Sequence, residues 1–176
     1  YHPLDIYRHQ VIKQTDVILA LFLLGDGFSV EKKQKNFDYY DPLTTGDSSL
    51  SSCIQSIVAA EVGYMDKAFD YGRDAILMDL ADVKGNVKDG CHVASMGGTW
   101  MVCVYGFAGM RDYRGEIYFR PRLPGRLVRL CFPLQVRDQV LRVDVNLEST
   151  TYKLEEGSNL KIAHYGEEIT LEKDAP

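Results

Sequence analysis

Four residues in this chain have the types and surroundings to hold a small anion: Lys13, with Gln14 beside it, Ser48, Ser49 and His92. Lys13 offers an ammonium and Gln14 an amide in the first turn of an otherwise apolar helix; the pair also reads as an ordinary solvated turn. Asp47-Ser48-Ser49 precede a stretch with helical apolar spacing, so they fall at a helix N-terminus, where free N–H groups and the helix dipole favour negative charge. Two hydroxyls add donors. Plain capping by Ser49 accounts for one of them and leaves the other. Asp47 would repel an anion unless it points away or orients a neighbour. His92 follows Asp89-Gly90 and also begins a helix. Protonated, it would add a positive donor, with Asp89 as the carboxylate to pair with it; a capping or core histidine is the plainer reading. Taken together, these groups describe a phosphate site. The glycine spacing of a nucleotide-binding P-loop is missing, so ATP is not implied.

The elements that must position these groups change character near Met110. Before it the apolar spacing is helical, and the expected helices are Gln10–Leu24, Val30–Tyr39, Leu50–Val62, Tyr64–Asp79 and Val93–Phe107. Ser29 is placed to cap the second, and Ser49 or Ser51 the third. Gly97-Gly98 interrupt the fifth at a cost of about 1 kcal/mol each against alanine, which is tolerated where something must approach the backbone closely. From Gly115 the pattern becomes short alternating strands: Ile117–Phe119, Leu127–Phe132, Val136–Val145, Thr150–Leu154, Leu160–His164 and Glu168–Leu171. Strands of this length and spacing predict a small antiparallel sandwich. At about 60 residues such a module is marginal alone.

With 176 residues, 45% hydrophobic and 26% charged, the chain has an ordinary globular composition and is expected to fold throughout. A net charge of -5 and a pI near 5.4 argue against a nucleic-acid or anionic-membrane surface. The longest apolar run, Val17–Leu24, is far too short to span a membrane. Cys53, Cys91, Cys103 and Cys131 form no CxxC pair and no Cys/His ligand spacing, which excludes a zinc motif and predicts buried free thiols in a reducing, cytoplasmic setting. Tyr1-His2-Pro3 is neither an initiator methionine nor a signal peptide, so the chain is expected to be part of something longer.

Six stretches resemble the C-terminal third of glycoside hydrolase family 65, the inverting disaccharide phosphorylases acting on maltose, trehalose, kojibiose and nigerose. They are Val11–Val17, Asn36–Tyr40, Asp47–Ser51, Asp89–Trp100, Gly106–Arg111 and Phe119–Pro124, in the family's order. The resemblance implies an α+β, mainly α chain: the last helices of an (α/α) six-hairpin barrel over residues 1–113, then a C-terminal antiparallel β-sandwich over 114–176. It implies that inorganic phosphate attacks the anomeric carbon of an α-glucoside while a glutamic acid protonates the leaving oxygen, giving β-glucose 1-phosphate. Lys13 and Gln14 match the pair that reaches glucose and phosphate, Ser48 and Ser49 the phosphate-holding serines, and His92 the histidine that donates to phosphate. Gly46 and Ser52 depart from the usual neighbours of the serine loop. The family's general-acid glutamate lies in a Pro-Asp-Glu motif upstream of Lys13; no such motif occurs here, so no catalytic residue is assigned and the chain alone is expected to be inactive. The implied partners are a disaccharide, inorganic phosphate as co-substrate, the N-terminal remainder of the enzyme and a second copy in a homodimer, with no cofactor, metal, nucleic acid or membrane. Two other readings stay open: a family 65 hydrolase of acid trehalase or glucosyl-galactosyl-hydroxylysine glucosidase type, and a noncatalytic carbohydrate-binding or structural module.

Overall fold

The computed structural model describes residues 2, 5 and 8–173. The chain divides into two compact units, Tyr1–Val102 and Cys103–Pro176.

The helical unit is organised around one buried helix. It contains α1 (Asp16–Leu23), α2 (Val30–Tyr40), α3 (Ser51–Val62), α4 (Met65–Ile76) and α5 (Val93–Met101). Every residue from Ser51 to Ala60 of α3 is buried, and α1, α2, α4 and α5 all touch it. Gly63, at φ 91°, ends α3 in the left-handed conformation that a glycine adopts without strain. The chain then turns back, and Tyr64 N–H reaches the Ala59 carbonyl at 2.8 Å. α4 presents Ala68, Gly72 and Ala75 as its buried face. These side chains are so small that the Ser56 hydroxyl donates to the Ala68 carbonyl at 2.6 Å. Gly98 of α5 does the same for Cys53: a Cβ there would stand 2.6 Å from Cys53 Sγ. Gly97 has open space around the corresponding position, so of the glycine pair only Gly98 is required by packing.

Ser29 caps α2 as expected, accepting from Lys32 N–H at 3.3 Å. Four helix ends differ from expectation. α1 starts at Asp16, because Ile12 leaves the apolar pattern to form a parallel bridge with Thr44. α3 has no side-chain cap from Ser49 or Ser51; instead Ser48 Oγ accepts from Leu50 N–H at 3.3 Å. α4 ends at Ile76, and the helix begun by α5 changes to π turns over Val102–Phe107.

The β unit holds β1 (Tyr118–Phe119), β2 (Arg129–Val136), β3 (Gln139–Asn146), β4 (Thr150–Glu156), β5 (Asn159–His164) and β6 (Glu167–Glu172). One sheet has the order β2-β3-β4, all antiparallel; the other has β1-β5-β6. β1 runs parallel to β5, a departure from the purely antiparallel expectation. Strand alternation sends Leu141, Val143 and Val145 inward and Arg142 and Asp144 to the other face. The inward residues meet Phe119, Leu134, Leu154, Leu160 and Ile162 in one apolar core shared by the two sheets, the layering of a β-sandwich. Pro133 sits on β2, an edge strand, where a missing N–H is tolerated. The outer face carries paired charges, with Arg129 on Asp144 at 2.5 Å and Arg142 on Glu155 at 2.5 Å.

Of the four thiols, only Cys53 is buried; Cys103 is half-buried, and Cys91 and Cys131 are exposed, which corrects the expectation of buried cysteines. All four are free. Burial pushes the Cys53 and Cys103 thiols above their ordinary range, so they remain neutral.

Candidate functional site

The Ile12–Thr44 bridge is the local device that brings two of the sequence-predicted segments together. Ile12 N–H donates to the Leu43 carbonyl at 3.0 Å, and Thr45 N–H donates to the Ile12 carbonyl at 2.9 Å. Lys13 and Gln14 therefore leave the bridge alongside the Thr45–Ser48 segment. They lie on a bend before α1, outside the helix in which the apolar spacing placed them. Both are exposed, and among the described residues no carboxylate pairs with the Lys13 ammonium.

Ser48 and Ser49 are half-buried directly ahead of α3. The Ser48 hydroxyl and carbonyl hold the entry turn, accepting from Leu50 N–H at 3.3 Å and Ser51 N–H at 3.2 Å. The Ser49 hydroxyl takes no part in the cap. Asp47 is exposed.

The loop carrying these serines is anchored at its start by Asp41, a nearly buried carboxylate. Its Oδ1 accepts from Gln55 Nε2 at 2.9 Å and from the Tyr71 hydroxyl at 2.9 Å, and Oδ2 accepts from Lys67 Nζ at 2.8 Å. These bonds tie the end of α2 to both α3 and α4. Burial, followed by the Asp41 charge, pushes the Tyr71 phenol up, so it stays a donor. The Asp41 carbonyl then accepts from Thr44 N–H at 3.2 Å, which links the anchor to the bridge residue itself.

His92 stands immediately before α5 and is half-buried. Its partner is Asp79, not Asp89: Asp79 Oδ1 lies 2.6 Å from His92 Nδ1, and Asp79 Oδ2 accepts from His92 N–H at 2.8 Å. Both bonds from His92 lower the Asp79 carboxyl below its ordinary range, which keeps it ionised. An ionised carboxylate on Nδ1 fixes the ring orientation and leaves Nε2 as the outward nitrogen. Asp89 is exposed on the short 3-10 turn Val87–Asp89.

The start of α3 and the body of α5 meet where Cys53 packs on Gly98. Two further hydroxyls in the first turns of these helices, Ser51 Oγ and Ser95 Oγ, are buried with no hydrogen-bond partner. In the sequence Ser51 stands out only as a candidate cap, and nothing marks Ser95, Asp41 or Asp79. Among the described residues no three His, Cys, Asp or Glu side chains are gathered to hold a metal ion. Among the described residues no hydrogen bond or ion pair joins His92 to Lys13, Ser48 or Ser49; taken one by one, an ammonium, hydroxyls at a helix N-terminus and an oriented imidazole are group types that suit an oxyanion.

Known proteins match this chain over most of its length. The family model for the glycosyl hydrolase family 65 central catalytic domain matches residues 1–101, and that for the family 65 C-terminal domain matches 110–171. The chain is 46% identical to an alpha,alpha-trehalose phosphorylase of Thermoanaerobacter brockii, over 98% of this chain and 22% of that protein. It is 34% identical to a maltose phosphorylase of Bacillus subtilis, over 95% of this chain and 22% of that protein. A kojibiose phosphorylase of Thermoanaerobacter brockii is 36% identical over 93% of this chain and 21% of its own length. A solved structure named "Putative kojibiose phosphorylase from human microbiome" superposes with a TM-score of 0.90 at 31% identity, covering 96% of this chain and 24% of that one. The chain thus spans little more than a fifth of the length of these curated relatives. Its fold is that of the last helices of an (α/α) barrel followed by the β-sandwich module, and the chain belongs to glycosyl hydrolase family 65.

Proposed function

We propose that this chain is the phosphate-holding part of an inverting disaccharide phosphorylase that cleaves an α-glucoside of maltose, trehalose or kojibiose type. In that reading residues 1–113 close the catalytic barrel and residues 114–176 form the β module. The observation that carries it is the Ile12–Thr44 bridge, which sets an unpaired Lys13 beside the segment leading to Ser48, Ser49 and the N-terminus of α3. The names of the relatives support the same chemistry.

Phosphate in this cradle is itself the nucleophile. A phosphate oxygen forms a bond to the anomeric carbon as the glycosidic C–O bond on the opposite face breaks, and the departing oxygen takes a proton from a glutamic acid supplied outside this chain. Inversion turns an α-glucoside into β-glucose 1-phosphate. An inverting hydrolase instead uses a carboxylate base to activate water on that face. Lys13 contributes charge, Gln14 reaches the sugar, Ser48 and Ser49 contribute hydroxyls, and His92 presents Nε2 while Asp79 holds the ring. Their work is positioning and charge stabilisation of the anion, with no cofactor beyond the phosphate co-substrate. The remainder of the enzyme is the partner for the exposed apolar stripe of Val93, Met96 and Trp100 on α5.

The test is incubation of the complete enzyme with each disaccharide, with and without inorganic phosphate. Phosphate-dependent formation of β-glucose 1-phosphate is expected, with none from the 176-residue chain alone. Lys13→Ala and His92→Ala should raise KM for phosphate at least tenfold. Release of free glucose without phosphate would overturn the reading in favour of a hydrolase.

A further inference from the structure

The β unit carries a cleft of about 250 Å³ that the proposed phosphorolysis does not use. One wall is the β3–β4 turn. Asn146 closes this turn on itself: its Oδ1 accepts from Glu148 N–H and Ser149 N–H, both at 2.8 Å, and its Nδ2 donates to Ser149 Oγ at 3.0 Å. The amide of Asn146 is thereby consumed within a rigid turn. The Glu148 carboxylate and the Thr150 hydroxyl also line the cleft, and neither has a side-chain partner among the described residues.

The facing wall is His164 and Tyr165, at the β5–β6 turn. Tyr165 is 56% exposed, yet it is fixed at both ends: its N–H donates to the Phe119 carbonyl at 3.0 Å and its hydroxyl to the Pro121 carbonyl at 2.5 Å. Its backbone sits at φ 51°, a left-handed conformation suited to asparagine or glycine and strained for a bulky ring. Turn chemistry therefore does not account for the residue chosen here. What tyrosine adds is a ring held by its hydroxyl bond to Pro121 and by edge-to-face packing with His164 at 4.8 Å between centroids, on the cleft wall. His164 is oriented from behind. The Tyr152 hydroxyl lies 2.8 Å from His164 Nδ1, and burial keeps that phenol protonated, with Tyr165 adding to the effect. That contact occupies Nδ1 and leaves Nε2 as the ring nitrogen available to a ligand.

We propose that this cleft binds a neutral glucosyl unit, with a sugar face against Tyr165 and its hydroxyls on His164 Nε2, the Thr150 hydroxyl and the Glu148 carboxylate. A hexose presents an apolar C–H face and a rim of hydroxyls that both donate and accept, and these walls offer the complement of each. The volume falls just below the roughly 300–1,000 Å³ of pockets for drug-sized molecules, which suits a single ring. The lone formal charge on the rim is negative, so a phosphate or sugar phosphate is disfavoured. None of these residues belongs to the phosphate cradle, and the site stands or falls independently of the phosphorylase reading.

Maltotriose titrated into the 176-residue chain, followed by backbone amide NMR, tests this. Saturable shifts are expected at Asn146–Thr150 and Ala163–Gly166, with a dissociation constant on the order of 1 mM. Tyr165→Asn removes the ring and its bond to Pro121 while supplying a residue that accepts the observed φ, so the fold should hold while affinity falls at least tenfold. Inorganic phosphate should leave these amides unmoved. The proposal is overturned by unchanged affinity in Tyr165→Asn, by shifts confined to the neighbourhood of Ser48 and His92, by equal shifts with phosphate, or by no shift at these turns.

Discussion

The two units sort polar and apolar groups differently. In the β unit the core cluster is apolar throughout, from Val104 and Phe119 to Leu160 and Ile162, and charged pairs lie outside it, Arg129–Asp144 and Arg142–Glu155 on β2, β3 and β4 and Lys161–Glu168 across β5 and β6. Among the described residues, Arg111 is its one buried polar side chain. In the helical unit Lys33, Asp41, Gln55, Ser51, Ser56 and Ser95 are all buried, while Leu23, Leu24, Leu80, Val93, Met96 and Trp100 are exposed. The difference teaches that stability and positioning are achieved by separate means. Hydrophobic burial, which is non-directional, suffices to close the sandwich. Loop placement needs directional bonds, and the buried network on Asp41 fixes the start of the serine loop because each member has a specific partner.

Substitutions can break this contrast at either end. The largest effect is expected from Phe119→Ala, which empties the centre of the apolar cluster and should cost about 3–5 kcal/mol. Hydrogen exchange should accelerate at the β3 amides; unchanged protection there would mean that Phe119 is not central. Next is the buried pair of Lys33 and Glu61, at 2.5 Å with the lysine side chain 3% exposed. Glu61→Ala strands the ammonium and should cost about 3 kcal/mol by chemical denaturation, whereas Lys33→Met with Glu61→Leu should restore most of it. If the double variant is as unstable as the single one, the pair is not a directional device of the kind described.

Gly98→Ala comes third. The new Cβ meets Cys53 Sγ, and the overpacking should cost about 1–3 kcal/mol. Combining it with Cys53→Ala should recover most of the loss, because the small residue merely changes helices; equal instability would place the strain elsewhere. The smallest effect is acid lability at Asp79. Its carboxyl is lowered in the folded chain, so the stability it contributes is complete above its unfolded value, about 3.9, and is lost as pH falls through the lower folded value. Asp79→Asn should flatten that acid limb in pH-dependent unfolding, while Asp89→Asn should leave it intact.

The strands were legible because alternation and turn residues act locally. Gly157-Ser158 and Tyr165-Gly166 mark turns, and the observed β4, β5 and β6 lie within two residues of the expected limits. The start of α1 was not legible. Val11 and Ile12 fit its apolar spacing, but a bridge to Thr44 in a distant segment takes Ile12 out of the helix. His92 could be picked out at a helix start, yet its partner lies 13 residues away at Asp79, while Asp89 is closer along the chain. The buried role of Asp41 follows from the fold around α2, α3 and α4, since an Asp before Pro42 otherwise reads as a helix end. Ser48 and Ser49 were identifiable as a pair, but which one holds the turn depends on backbone geometry.

Lys13, Ser48, Ser49 and His92 are proposed to hold a tetrahedral oxyanion. Inorganic phosphate titrated into the chain, with 15N-labelled amide and imidazole signals recorded together, tests this most directly. Saturable shifts at Ser48, Ser49 and His92 Nε2, lost in Lys13→Ala and suppressed by high salt, are the predicted result. Phosphate that leaves those signals unmoved, or moves them equally in Lys13→Ala, would contradict it.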